Sequence, residues 1–198
     1  MDNLADLDST DRAPYYEALD IGSPILWLHH LSLSQGDSVL YSGREGAGEY
    51  CDWDFIALEP QDVMLLEPHE SQGREEEALA RFDSFVNQPW RSDTGQVYSD
   101  TAWFSLGQTL QIIPPMIHCG LSYELGAQAK GIEPHDQHHN APSLWAARYH
   151  SIYAYHRSSE RGWLVACSLD KLGRLRDRLL TAHHKLSDDP LTCEDSGA

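Results

Sequence analysis

Short apolar runs bounded by turn residues alternate along this chain with two longer stretches of helical spacing. The clearest helix in the first half covers residues 75–88. Ala78, Leu79, Phe82, Phe85 and Val86 recur there at the 3.6-residue period, and Glu75, Glu76 and Glu77 suit the positive end of a helix dipole. Leu169, Leu172, Leu175 and Leu179 predict a final amphipathic helix. Ser23-Pro24 has the form of a helix start, leading into the apolar run 25–33, which a strand would fit nearly as well.

The remaining apolar runs read as strands. Residues 14–19 form a short strand or an irregular lead-in, and 38–43 a strand ending at Gly43. Residues 54–59 and 62–66, separated by Pro60-Gln61, predict a β-hairpin. Residues 103–106 and 110–113 are strand-like. Residues 120–126 read as a buried strand running into a helix start, with Tyr123-Glu124 inside it. Residues 144–155 alternate as one strand, with Trp145, Tyr149, Tyr153 and Tyr155 on one side, and 163–168 returns beside it. Hairpins interspersed with a few helices predict an α+β fold with a mostly antiparallel sheet. A single domain is expected over residues 14–186, between an acidic tail at 1–13 and a frayed tail at 187–198.

Charge and cysteine usage narrow the partners. Thirty-one acids against 14 bases give a net charge of −17, which argues against nucleic acid and anionic membranes as partners, because phosphate binding needs a basic face. Cys51, Cys119, Cys167 and Cys193 are far apart with no CxxC, so neither a disulfide framework nor a zinc knuckle is expected. The N-terminus has no apolar signal core, and no apolar run approaches the ~20 residues of a membrane span. A cytoplasmic protein is the expectation.

Few side chains form a recognisable reactive set. The glycines in 43–49 lack phosphate-loop spacing. His135, Asp136, His138 and His139 put three imidazoles and a carboxylate close together, but at no zinc-motif spacing, which favours a solvated loop. His29-His30 and His183-His184 read as ordinary surface histidines, since neighbours at i,i+1 do not share a helix face. Glu124 beside Tyr123 could serve as a base, although a structural junction is the simpler account. Cys119 has no identifiable base and is expected to be a small buried hydrophobe. Lys171, Arg174, Arg176, Arg178 and Lys185 make a basic stripe, read as a solvated helix face in preference to a dock for an acidic domain.

Four segments together resemble the N-terminal domain of the chorismate-utilising synthases, aminodeoxychorismate synthase component I and anthranilate synthase component I, the former more closely. Val39-Leu40-Tyr41-Ser42-Gly43 is similar to the family's Leu-Leu-x-Ser-Gly strand. Residues 50–60, from Tyr50-Cys51-Asp52-Trp53-Asp54 to Glu59-Pro60, are similar to its Tyr-Ser-Arg-aromatic-Asp segment and the strand after it. Residues 121–126 resemble its Leu-Ser-Tyr-Glu junction, and 144–155 with its partner strand completes the set. Departures are Tyr41 for an acid, Asp52 for an arginine, and Pro114-Pro115-Met116 and Cys119-Gly120 where glycines and Gly-Tyr are the pattern.

The resemblance implies a non-catalytic scaffold for a chorismate-binding catalytic domain, joined in cis or acting in trans, in 4-amino-4-deoxychorismate synthesis on the route to p-aminobenzoate and folate. It implies no cofactor in this chain, with Mg²⁺ expected only in that catalytic domain, and a glutamine amidotransferase subunit as a further partner. No catalytic residue is expected before Ala198. It also implies a pocket for a tryptophan-like amino acid formed by Leu40, Ser42, Tyr50 and Trp53. A stand-alone binding module using that pocket is the alternative function.

Overall fold

The computed structural model describes residues 14–41, 52–67, 70, 73–89, 91, 107, 110, 116–122, 125, 130 and 142–188. The described elements are β1 (Tyr15–Ala18), α1 (Pro24–Trp27) running on as a 3₁₀ turn (Leu28–His30), β2 (Ser38–Tyr41), β3 (Trp53–Ala57), β4 (Asp62–Leu66), α2 (Glu75–Val86), β5 (Ile117–Leu121), β6 (Leu144–Arg148), β7 (Ser151–His156), β8 (Arg161–Ala166) and α3 (Leu169–Asp188). Two antiparallel sheets and three helices among the described residues give an α+β fold. The chain divides into two compact units, one of Pro14–Leu58 with Ser151–Ala198, the other holding Glu59–His150.

The first unit is a five-stranded sheet of order β1-β8-β7-β3-β2. Its registers place Val39, Ile56, Tyr153 and Leu164 on one face. That face meets α3 through Leu172, Leu175, Leu179 and Ala182, the 3–4 spacing of a helix stripe. Ser168 starts α3: its Oγ accepts the Lys171 N–H at 3.3 Å, an N-cap bond. Pro24 occupies the first turn of α1, and buried Trp27 donates its indole N–H to the Ile21 carbonyl at 3.2 Å. Gly162 allows the β8 backbone to lie against the 19–20 segment. Leu19 N–H donates to its carbonyl at 2.9 Å, and its own N–H donates to Asp20 Oδ1 at 3.0 Å. A Cβ there would fall 2.6 Å from Tyr153 Cε2 and closer still to the Tyr153 hydroxyl and Leu19 carbonyl.

The second unit is a three-stranded sheet of order β4-β6-β5. Met64, Leu66, Leu144 and Ala146 pack with Ala78 and Phe85 of α2 and with Leu125. Ser122 Oγ accepts the Leu125 N–H at 3.1 Å, so β5 does run into a helix start. Buried Arg148 closes the other end of α2, donating to the Phe85 carbonyl and, at 2.7 Å, to the Gln88 carbonyl. These are the terminal carbonyls a helix cannot satisfy internally.

Three sequence expectations are corrected. Residues 54–59 and 62–66 do not pair as a hairpin: β3 pairs with β2 and β7, and β4 with β6, in different sheets. Between them Glu59 takes φ 55°, turning the chain out of the sheet instead of back along it. The strand expected over 144–155 is two strands, β6 and β7, in separate sheets, broken at Tyr149-His150. Both residues are buried, so the apolar pattern runs through the break unmarked. Leu110 is helical where a strand was expected, and 103–106 lies outside the described residues.

Candidate functional site

The end of the larger sheet where β2 stops and β3 begins gathers the best-defined set of aromatic and polar side chains. β2 and β3 are antiparallel, with Leu40 opposite Phe55 and Tyr41 opposite Asp54. Alternation puts Leu40, Phe55 and Trp53 on one face and Tyr41 and Asp54 on the other. β7 continues the first face, His156 standing opposite Trp53 and Ala154 opposite Phe55, and β8 adds Trp163 opposite Ala154.

On the first face Trp53 is the hub. Its ring centroid lies 6.2 Å from Phe55 in a stacked pair, 4.7 Å from His156 and 5.6 Å from Trp163. His156 Nδ1 lies 2.8 Å from Ser159 Oγ, which fixes the ring. Trp53 and Phe55 are buried, Trp163 is half-buried and Leu40 is exposed. The rings of this face therefore pack on one another away from solvent, and only Leu40 and, in part, Trp163 and His156 reach the surface at its margin.

The opposite face is electrostatic. Asp54 is fully buried, and Arg157 Nε lies 3.6 Å from its Oδ1. The same guanidinium sits 5.3 Å from the Tyr41 ring centroid. Arg157 N–H donates to the Asp52 carbonyl at 2.8 Å, and Ser158 Oγ donates to Asp52 Oδ2 at 3.1 Å. Asp52, at the position where the resemblance sets an arginine, thus turns toward the β7–β8 turn. Arg157 supplies the nearby cation, but on the Tyr41 face and not the Trp53 face. Burial, then Glu160, Asp54 and Asp20, raise the Tyr155 pKa. Burial, then Tyr155, Asp20 and Asp54, raise that of Tyr153. Both phenols stay neutral well above pH 7.

Of the four pocket residues expected from the sequence, Leu40 and Trp53 come to the same face of the same sheet. Ser42 and Tyr50 lie outside the described residues, as do 131–140 with its histidines, and Tyr123 and Glu124. His156, Trp163 and Arg157 escaped the sequence reading. His156 and Arg157 fell in an expected turn, and only the β3–β7 pairing brings them to Trp53 and Asp54. Cys119, expected buried, is exposed.

The chain was compared with protein-family models and with curated proteins. Neither comparison gives a match.

Among the described residues the other titratable groups assemble no second reactive set. Among the described residues no three His, Cys, Asp or Glu side chains are placed to hold a metal. His29 and His30 do lie together, ring centroids 3.8 Å apart, while His183 and His184 are 6.2 Å apart. The basic stripe on α3 is largely neutralised: Arg174 pairs with Asp170 at 3.0 Å, Arg176 with Glu17 at 3.4 Å and Arg178 with Asp37 at 3.2 Å. In the second unit a cleft of about 380 Å³ is lined by Gln61, Asp62, Gln88, Pro89, Arg91 and Arg148. Its buried cation serves the end of α2, and burial lowers the Arg148 pKa against the opposing pull of Asp62. No helix among the described residues is long and apolar enough to cross a membrane.

Proposed function

We propose that this chain is a non-catalytic module of an aminodeoxychorismate synthase component I-like protein. It would serve as scaffold for a chorismate-binding domain supplied in cis or in trans. That domain would hold Mg²⁺ and carry out the reaction of chorismate with ammonia to 4-amino-4-deoxychorismate, with a glutamine amidotransferase as ammonia source and the cytoplasm as the setting. The observation that carries this reading is the pairing of the first two resembling segments as neighbouring strands: β2 with Leu40 and Tyr41 lies against β3 with Asp54 and Phe55. The third segment supports it through the strand-to-helix junction at Ser122. Mixing the chain with a chorismate-binding domain and amidotransferase, and measuring 4-amino-4-deoxychorismate, tests it. Product formation that depends on this chain is the expected result. A mixture no more active than the domain alone contradicts it.

A second reading, a small-molecule binding module without enzymatic activity, is favoured by the shared face of Leu40, Trp53, Phe55, His156 and Trp163. An indole or similar ring would enter at the margin of that face, beside exposed Leu40 and half-buried Trp163 and His156, and stack toward the buried Trp53. Calorimetry with tryptophan should give saturable heat that Trp53→Ala abolishes. A silent titration removes the reading.

A further inference from the structure

Three segments of the second unit meet at the cleft of about 380 Å³: Gln61 and Asp62 where β4 begins, Gln88, Pro89 and Arg91 after α2, and Arg148 at the end of β6. That volume lies near the small end of the ~300–1,000 Å³ of ligand pockets. Pro89 is the one apolar side chain in the lining. The others are two guanidiniums, two carboxamides and a carboxylate. Such a lining suits a small charged molecule better than an aromatic one.

Much of the lining is fixed by the fold. Asp62 and Arg148 stand opposite each other on paired strands, so their side chains share one face of the sheet. The Gln61 N–H donates to the Arg148 carbonyl at 2.8 Å. Arg148 is only 4% exposed, and its guanidinium lies 5.4 Å from the Phe85 ring centroid while donating to the Phe85 and Gln88 carbonyls. A cation held in this way gives up little side-chain freedom on binding. Carbonyls are neutral, so these bonds orient the guanidinium without cancelling its charge. Exposed Arg91 brings the second guanidinium.

The lining side chains thus carry two positive charges and one negative. We infer that the cleft binds a dicarboxylic α-amino acid, whose two carboxylates and one ammonium match these charges one for one. The carboxylates meet Arg148 and Arg91, since guanidinium is the geometric partner of a carboxylate. The ammonium meets Asp62, and the Gln61 and Gln88 carboxamides add neutral hydrogen bonds. A dicarboxylate without the amine sets no cation against Asp62, and an amide in place of the second carboxylate leaves one guanidinium unmatched. Both are therefore discriminated against.

Calorimetry of the full chain with L-glutamate and L-aspartate tests this. At least one of them should bind saturably, and its amide and its amine-free dicarboxylate should each bind about tenfold more weakly, the loss of one good ion pair. Arg91→Gln should weaken binding about tenfold, and Asp62→Asn should erase the preference for the amino acid over the amine-free dicarboxylate. Circular dichroism checks that both variants are folded. Should Asp62→Asn not fold, the comparison of the two ligands on the unaltered chain decides. No saturable heat with either amino acid, or indifference to Arg91→Gln, overturns the inference. Equal binding of glutarate or succinate overturns it in favour of a plain dicarboxylate site, and equal competition by inorganic phosphate in favour of unselective anion binding.

Discussion

The larger sheet is covered by the 20-residue α3 and the smaller by the 12-residue α2, and different interactions hold the two covers in place. In the first unit the cover is apolar. Four α3 side chains enter a core that includes Trp27, Ile56, Tyr153 and Leu164, and a backbone contact at Gly162 lets the 19–20 segment seal one side. In the second unit a buried arginine reaches from β6 to the end of α2. Apolar burial is non-directional and spreads the attachment over many contacts. A buried guanidinium concentrates the attachment in two carbonyls, and its loss leaves them without partners. The candidate site lies on the apolar-covered sheet, where rigid strands position Leu40 and Trp53.

The largest effect expected is at Gly162. Gly162→Ala drives a Cβ into the Leu19 carbonyl and the Tyr153 ring, and should cost about 3 kcal/mol in urea denaturation, the upper range for overpacking. A cost below about 1 kcal/mol would show that the 19–20 segment moves aside easily and does not seal the core of the first unit.

Arg148→Met removes the guanidinium while keeping apolar bulk. The orphaned Phe85 and Gln88 carbonyls should cost about 2 kcal/mol. Hydrogen exchange should rise chiefly in 75–86 and leave 169–188 protected. Uniform exchange in both helices would mean that the two units share one cooperative transition.

Alkaline pH should act on the first unit. The folded-state pKa values of Tyr153 and Tyr155 are raised, so the folded state keeps their protons where the unfolded state releases them. Their contribution is fully present below the unfolded value of about 10 and is lost as pH rises through the folded values. Stability should fall by up to about 1.4 kcal/mol per pH unit for each phenol. In Tyr153→Phe the fall should be about half as steep, after a pH-independent loss of about 1 kcal/mol for the hydroxyl bond to the Leu19 carbonyl. An unchanged slope in that variant would mean that Tyr153 ionises freely.

The smallest effect is expected in the β7–β8 turn. Glu160 holds φ 54°, a left-handed conformation that glycine adopts without steric cost. Glu160→Gly should stabilise the chain by roughly 0.5 kcal/mol, the relief of strain less the added unfolded-state entropy.

How the residues expected from sequence fared follows from which interactions are local. The helices 75–86 and 169–188 were legible because a 3.6-residue stripe is a local property, as were the β7–β8 hairpin and the Ser122 junction. The course of the chain after β3 and after β6 was not. Glu59-Pro60 and Tyr149-His150 are where the chain changes sheets, and alternation records burial without recording which sheet buries a residue. Leu40 and Trp53 stood out through the resemblance of their segments. His156, Trp163 and Arg157 did not, because what makes them part of the site is the pairing of β3 with a strand far along the chain.

The central claim is that this chain is a scaffold completed by a chorismate-binding domain. Sedimentation velocity of an equimolar mixture of the two tests it most directly. The account predicts one boundary at the mass of a one-to-one complex. Two boundaries at the masses of the separate proteins, at micromolar concentration and physiological salt, would contradict it.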